Sequence, residues 1–188
     1  VAFPVTTIAT AMALLLGIGG ASNYNLEMGA GREKKASSIA GTALSSLAIS
    51  GAVLCVIVVL FLKPLLTLFG ATKDVMPYAA DYTGITALGL PFYILSVGGN
   101  HVVRADRSPT YSMACVTAGA VINTILDPLF IFGFGWGIKG AAWATVIGQV
   151  VSGILGSMYF WKFRKMYLEK SMLKPRLHYL KAITALGL

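Results

Sequence analysis

Apolar residues in this chain fall into long blocks rather than short alternating runs. Five blocks can be marked: Val1 to about Leu26, Ser37 to Leu62, Val75 to Gly98, Thr110 to Phe132 and Gly140 to Phe163. Each reaches the roughly 20 residues that a helix, rising about 1.5 Å per residue, needs to cross the hydrocarbon core of a bilayer. A sixth block begins near His178 and runs to Leu188. Membrane barrel strands would be about ten residues long with dyad alternation, and no block has that form. The pattern predicts an all-α fold, a polytopic transmembrane helix bundle with five spans and the start of a sixth.

Composition narrows the class further. Residues of the AVILMFWYC set make up 56% of the 188 and charged residues only 12%, with a mean hydropathy of +0.76. A soluble domain of this size cannot bury so much apolar surface, and disordered chains are poor in it. The net charge of +8 does not mark a nucleic-acid partner, because the basic residues fall in alternate loops. Arg32, Lys34 and Lys35 follow the first block, and Arg104 and Arg107 follow the third. Lys162, Arg164, Lys165, Lys170, Lys174, Arg176 and Lys181 follow the fifth. These are twelve of the fifteen; Lys63, Lys73 and Lys139 lie on the other side. Lysine and arginine accumulate on the cytoplasmic face, so the first span is expected to run into the cytoplasm, with the basic loops there and lipid phosphate as a secondary contact. Cys55 and Cys115 sit inside apolar blocks and offer neither a disulfide framework nor metal-ligand spacing. There is no charged n-region or cleavage site of a signal peptide, and both ends fall within apolar runs. The chain is expected to be an internal piece of a longer membrane protein.

Small residues show how the spans are expected to pack. Gly140, Ala144, Gly148, Ser152 and Gly156 recur every four residues in the fifth block and so fall close to one helix face. Such stripes let transmembrane backbones approach closely, because helices in lipid associate through packing. Pro91 removes a backbone donor from the third span and predicts a kink there.

Most acidic residues lie near interfaces: Glu27, Glu33, Asp74, Asp106 and Glu169 are all expected within reach of headgroups. Asp127 is different. It stands about five residues inside the fourth span, roughly 8 Å below the outer interface by helix rise. An ionised carboxylate in a bilayer costs on the order of 3 kcal/mol or more unless compensated. Asn123 is one turn earlier on the same face. Pro128 has no amide hydrogen, so the carbonyl of Thr124 loses its helical donor. Thr145 in the fifth span and Tyr82 in the third are expected at nearly the same depth. Together these groups form a layer of hard oxygen ligands suited to a small cation or a proton. An intramembrane enzyme would need a nucleophile with a base, or a metal triad, at one depth. His101 and His178 both lie at cytoplasmic ends without an acidic partner in the membrane, so no enzyme activity is expected.

The motifs around these residues resemble those of the multidrug and toxic compound extrusion (MATE) family of cation-coupled antiporters. Met28-Gly29-Ala30-Gly31-Arg32 resembles the family's turn between its second and third helices, and Arg104-Ala105-Asp106-Arg107-Ser108-Pro109 its turn between the fourth and fifth. The most specific stretch is Asn123 to Gly133 followed by Gly137-Ile138-Lys139-Gly140-Ala141-Ala142-Trp143-Ala144-Thr145. The resemblance implies helices two to six of a twelve-helix transporter. Residues 1–163 would then be a partial amino-terminal six-helix lobe, 164–177 a basic cytoplasmic linker, and 178–188 the start of the second lobe. It implies an antiporter of the cell membrane that exports drugs or other small organic compounds, often cations, with no cofactor beyond a coupling sodium ion or proton. In the DinF-like branch that ion is held by residues matching Asn123, Asp127 and Thr145, with Tyr82 nearby. The family's site also uses an acidic residue from a first helix that this sequence does not contain. A lipid-linked oligosaccharide flippase of the same superfamily is the alternative; such proteins usually carry basic residues in a central cavity, and none is evident at depth in this sequence.

Overall fold

The computed structural model describes residues 3–163, 166 and 168–187. Among these residues the structure is helical and contains no strand. The long helices are α1 (Phe3–Gly29), α2 (Glu33–Leu60), α4 (Met76–Ala105), α5 (Pro109–Pro128) and α6 (Gly137–Met158). Two short helices join them, α3 (Leu62–Leu68) and α7 (Leu177–Gly187). Local chemistry sets several boundaries. Gly31 takes a positive φ of 73° in the turn after α1, a conformation open to glycine without a Cβ clash. Glu33 then opens α2, where a carboxylate suits the positive helix end. Pro109 occupies the first turn of α5, where its missing N–H costs nothing.

Four segments are long and apolar enough to cross a membrane: Phe3–Gly29, Glu33–Leu60, Pro109–Gly133 and Gly137–Trp161. The third expected span exists as α4, at 30 residues the longest helix, but it is more polar than the others. Its position explains the difference. α4 packs against α6, α2 and α1, so protein rather than lipid covers much of it. The outer helices instead show apolar side chains outward, as α2 does with Val53, Val56 and Leu60. A belt of exposed apolar residues is stable only against lipid or another apolar partner.

The core joins Ala9, Ala13 and Leu16 of α1, Ile39, Leu47 and Leu54 of α2, and Leu90 and Ile94 of α4. Small residues allow the close approaches. A Cβ on Gly17 would stand 2.6 Å from the Cα of Gly98, and one on Gly51 2.7 Å from the Cα of Pro91. α4 continues as helix through Pro91. The stripe on α6 is a seam as expected over most of its length: a Cβ on Gly140 would meet Phe130 at 2.8 Å, and one on Gly148 the carbonyl of Gly119 at 2.8 Å. Gly156 departs from it, with open space beside it.

Of the expected linker 164–177, residues 164, 165 and 167 lie outside the described residues. The part that is described docks on α2: Met172 is buried, and the hydroxyl of Ser45 donates to the carbonyl of Leu173. α7 lies against α1, where the amide of Asn23 donates to the carbonyl of Ala182 at 3.0 Å.

Candidate functional site

The register between α5 and α6 positions the predicted polar layer. Gly140 abuts Phe130, and Gly148 abuts Gly119 and Asn123. The two helices run antiparallel, so Thr145 falls level with the turn that separates Asn123 from Asp127. The Thr145 hydroxyl donates to the carbonyl of Ala141 at 2.9 Å, which spends its proton and leaves its lone pairs free to accept. α5 ends at Pro128, and the chain continues as a π-helical turn, Leu129–Gly133. Such turns occur where the ordinary hydrogen-bond ladder is interrupted, and the missing amide of Pro128 is the interruption.

Asn123 and Thr145 line one cavity of about 380 Å³ between α4, α5 and α6. Asp127 and Tyr82 are both half-buried, but neither belongs to the cavity wall. The structure thus brings two of the four predicted residues onto one surface. It sets Asp127 one turn beyond them along α5, and Tyr82 nearer the start of α4. Among the described residues there is no group of three His, Cys, Asp or Glu side chains that could hold a metal. Any ion here would depend on one carboxylate with neutral oxygens, a donor set that fits a monovalent cation or a proton better than a transition metal.

Sequence reasoning missed most of the cavity wall. Tyr93, Ser96, Asn100 and Arg104 recur every three or four residues on α4, and Thr145, Gln149 and Ser152 do so on α6; all of them line the cavity. That spacing is a readable signal for a polar helix face. Ser96 and Ser152 close the contact between the helices at 2.7 Å. Asn100, only 5% exposed, donates to the carbonyl of Ser96 at 2.7 Å, yet its Oδ1 has no partner. Asn123 Nδ2 and Gln149 Oε1 are also buried without partners. Arg104 and His101 also line its wall, because the polar face of α4 extends to its last turn.

One expectation is overturned at Asp106, expected at the headgroups but only 3% exposed. Its carboxylate accepts from the hydroxyl of Tyr24 at 3.1 Å, the hydroxyl of Tyr159 at 2.7 Å and the backbone N–H of Met166 at 3.2 Å. Tyr159 also bonds Ser108 at 2.9 Å. This carboxylate ties α1, the α4–α5 turn and the end of α6 together. Glu27 does lie near the surface, where it pairs with Arg32 at 2.5 Å and Lys35 at 2.9 Å across the α1–α2 turn.

Comparison with known proteins agrees with this architecture. The MatE family pattern matches residues 1–129. A protein named FAD transporter from Shewanella oneidensis is 34% identical over 154 residues, covering 80% of this chain and 34% of that protein. Multidrug export protein MepA from Staphylococcus aureus is 26% identical over 186 residues, covering 98% of this chain and 41% of MepA. A solved structure, described as the inward-facing conformation of a multidrug resistance MATE family transporter, superposes with a TM-score of 0.90. It shares 26% identity, over 98% of this chain and 42% of that one. The chain spans between a third and about two fifths of the length of these relatives. From the helical bundle, the family match, the sequence relatives and this superposition, the chain belongs to the MatE family of multi-pass membrane transporters.

Proposed function

We propose that this chain is part of a cation-coupled antiporter that exports small organic compounds across the cell membrane. Asp127 is its coupling residue, and Asn123 and Thr145 are neutral oxygen ligands, with Tyr82 nearby. The observation that carries the proposal is a single carboxylate on a membrane-crossing helix, one turn from a cavity lined by Asn123 and Thr145. The names of two relatives, an FAD transporter and a multidrug export protein, support export of organic compounds. Residues 1–163 form most of one lobe, and α7 begins the next; the basic loops face the cytoplasm.

A carboxylate in the membrane is costly while ionised, and binding sodium or a proton removes that cost. A ligand shifts a conformational equilibrium only through its different affinity for the two states, and the charge of Asp127 supplies such a difference. The coupling ion, sodium or proton, is therefore a transported partner rather than a fixed cofactor. The test is gradient-driven efflux of a fluorescent organic compound from proteoliposomes containing the full-length protein at matched levels. Asp127→Asn keeps the side chain's shape and removes its charge, so the protein should fold normally and lose gradient-driven export. Asn123→Ala and Thr145→Ala should weaken ion dependence more mildly. Unchanged rate and ion dependence in Asp127→Asn would overturn the assignment.

A further inference from the structure

A groove on the flank of the bundle runs between α1, α2 and α7. Its wall is Leu15 and Leu16 of α1, Ile49 and Val53 of α2, and Pro175 and Leu180 where the basic segment turns into α7. It encloses about 440 Å³. Ser50 and Thr184 also line it, but their hydroxyls donate to the carbonyls of Leu47 at 3.0 Å and Leu180 at 3.1 Å. Those donors are spent on their own helices, so the wall is apolar in effect. Both sides are fixed by close backbone packing. A Cβ on Gly41 would press on the carbonyl of Met172, and Cβ atoms on Gly19 and Gly187 on the carbonyls of Ile183 and Leu15. The segment before α7 is thereby seated on α2, and α7 itself on α1. Ile49 and Val53 are 51% and 50% exposed, so the groove opens sideways into the apolar belt of α2.

The mouth of the groove has a different chemistry from its length. The Ser45 hydroxyl holds the carbonyl of Leu173, which sets Pro175 near that level of α2. Ile49 and Val53 lie one and two turns further along, Val53 about 12 Å away by helix rise. Lys174 and Arg176 flank Pro175, and Lys181 follows Leu180; all three are exposed. Arg176 lies over the ring of Tyr179, 5.8 Å from its centre, which holds it at the start of α7. From Lys170 to Leu188 the sequence contains no carboxylate. A groove that is apolar along its length and cationic at one mouth complements a molecule with a hydrocarbon chain and an anionic head. We infer that it holds an acyl chain of an anionic phospholipid of the cytoplasmic leaflet, with the phosphate at Lys174, Arg176 and Lys181. Basic side chains on that side of a membrane attract anionic headgroups, and their stems lie along apolar surface while the charge reaches the interface. The leaflet rests on the cytoplasmic placement of the basic loops proposed above; the groove and its charge do not.

The probes are dioleoyl phosphatidylglycerol and dioleoyl phosphatidylcholine, which share their chains and differ in head charge. Native mass spectrometry of the purified full-length protein, in detergent supplied with either lipid, reads the retention of each. The parent should retain phosphatidylglycerol about tenfold or more over phosphatidylcholine. Lys174→Gln combined with Arg176→Gln should abolish that preference, while Lys174→Arg combined with Arg176→Lys keeps both charges and should preserve it. Val53→Trp, at a half-exposed position, fills the groove without touching the basic mouth and should also cut retention of phosphatidylglycerol. Equal retention of the two lipids by the parent overturns the inference. So does retention of phosphatidylglycerol that is indifferent to the paired glutamine variant or to Val53→Trp. In proteoliposomes, Val53→Cys in a cysteine-free background should react with a maleimide dissolved in the bilayer. No reaction would show that the rest of the chain covers the groove, which also overturns the inference. Lipid retention in detergent is independent of orientation and of export. Phosphatidylglycerol retained as expected by a protein that exports no organic compound supports the groove and counts against the proposed function. Gradient-driven export by a protein that retains both lipids alike overturns the groove and leaves that function standing.

Discussion

Asp106 shows how a residue's role follows from its surroundings. By sequence it is a polar loop residue near the membrane surface; in the fold it is buried beneath two tyrosine hydroxyls and a backbone amide. Hydrogen bonds to a charged acceptor contribute about 1.5–3 kcal/mol each, and a buried donor left without an acceptor costs a comparable amount. Asp106→Ala should therefore destabilise the cytoplasmic end by about 2–4 kcal/mol. Tyr24→Phe removes one donor and leaves the acceptor otherwise satisfied, so it should cost only about 1 kcal/mol. Thermal unfolding of the two variants in the same detergent tests the ranking. Equal melting temperatures for Asp106→Ala and the parent would contradict it. Asp127 differs in kind. It is half-buried on α5, one turn beyond the cavity wall, and under the proposed function its occupancy changes during transport instead of holding helices together.

At the level of elements, packing is governed by glycine. α5 and α6 meet where Gly119 and Gly148 face each other, and a Cβ on either would press to within 2.8 Å of the other's carbonyl oxygen. Backbone cannot retreat as a flexible side chain can, so a larger residue forces the helices apart. Gly148→Leu should lower the yield of folded protein severely and should disturb Asn123, whose Cβ lies 3.0 Å from the position a Cβ on Gly148 would take. Gly156→Ala, in open space, should be tolerated and slightly stabilising through helix propensity. Size-exclusion chromatography of the two variants at equal expression tests the contrast: a normal monodisperse peak for Gly148→Leu would show that the two helices do not touch there. The stripe itself was legible from spacing alone. Where it stops was not, because the end of a seam depends on the angle at which two helices cross.

For the whole molecule, the governing constraint is the bilayer. Four segments meet the length and apolarity needed to span it, while α4, enclosed by its neighbours, carries the polar wall of the cavity. Basic loops on alternate turns predict an orientation that labelling can check. A cysteine placed at Ser108 should react only with a reagent supplied from the cytoplasm, and one placed at Gly135 only with a reagent supplied from outside. Both reacting from the same side would rule out the alternation of spans. The loop positions on which this depends are well separated in the fold: Ser108 joins the Tyr24–Asp106–Tyr159 cluster at one end, while Gly135 sits in the α5–α6 turn with a φ of 68° at the other.

The sequence by itself determined the helical membrane class, the number and approximate limits of the long helices, the small-residue face of α6 and the family motifs. These depend on local composition and on a period of 3.6 residues, which a chain carries whether folded or not. It also placed Asn123, Asp127 and Thr145 near one depth, because depth along a helix is a linear measure. Rotation about the helix axes and the identity of the neighbours were decided only by the tertiary structure. That is why Asn123 and Thr145 share a cavity that excludes Asp127 and Tyr82, and why Arg104 reaches a wall that loop counting had left to the cytoplasm. It is also why Asp106 is buried: three segments distant in sequence converge on it, and burial is set by contacts between segments that no local pattern records.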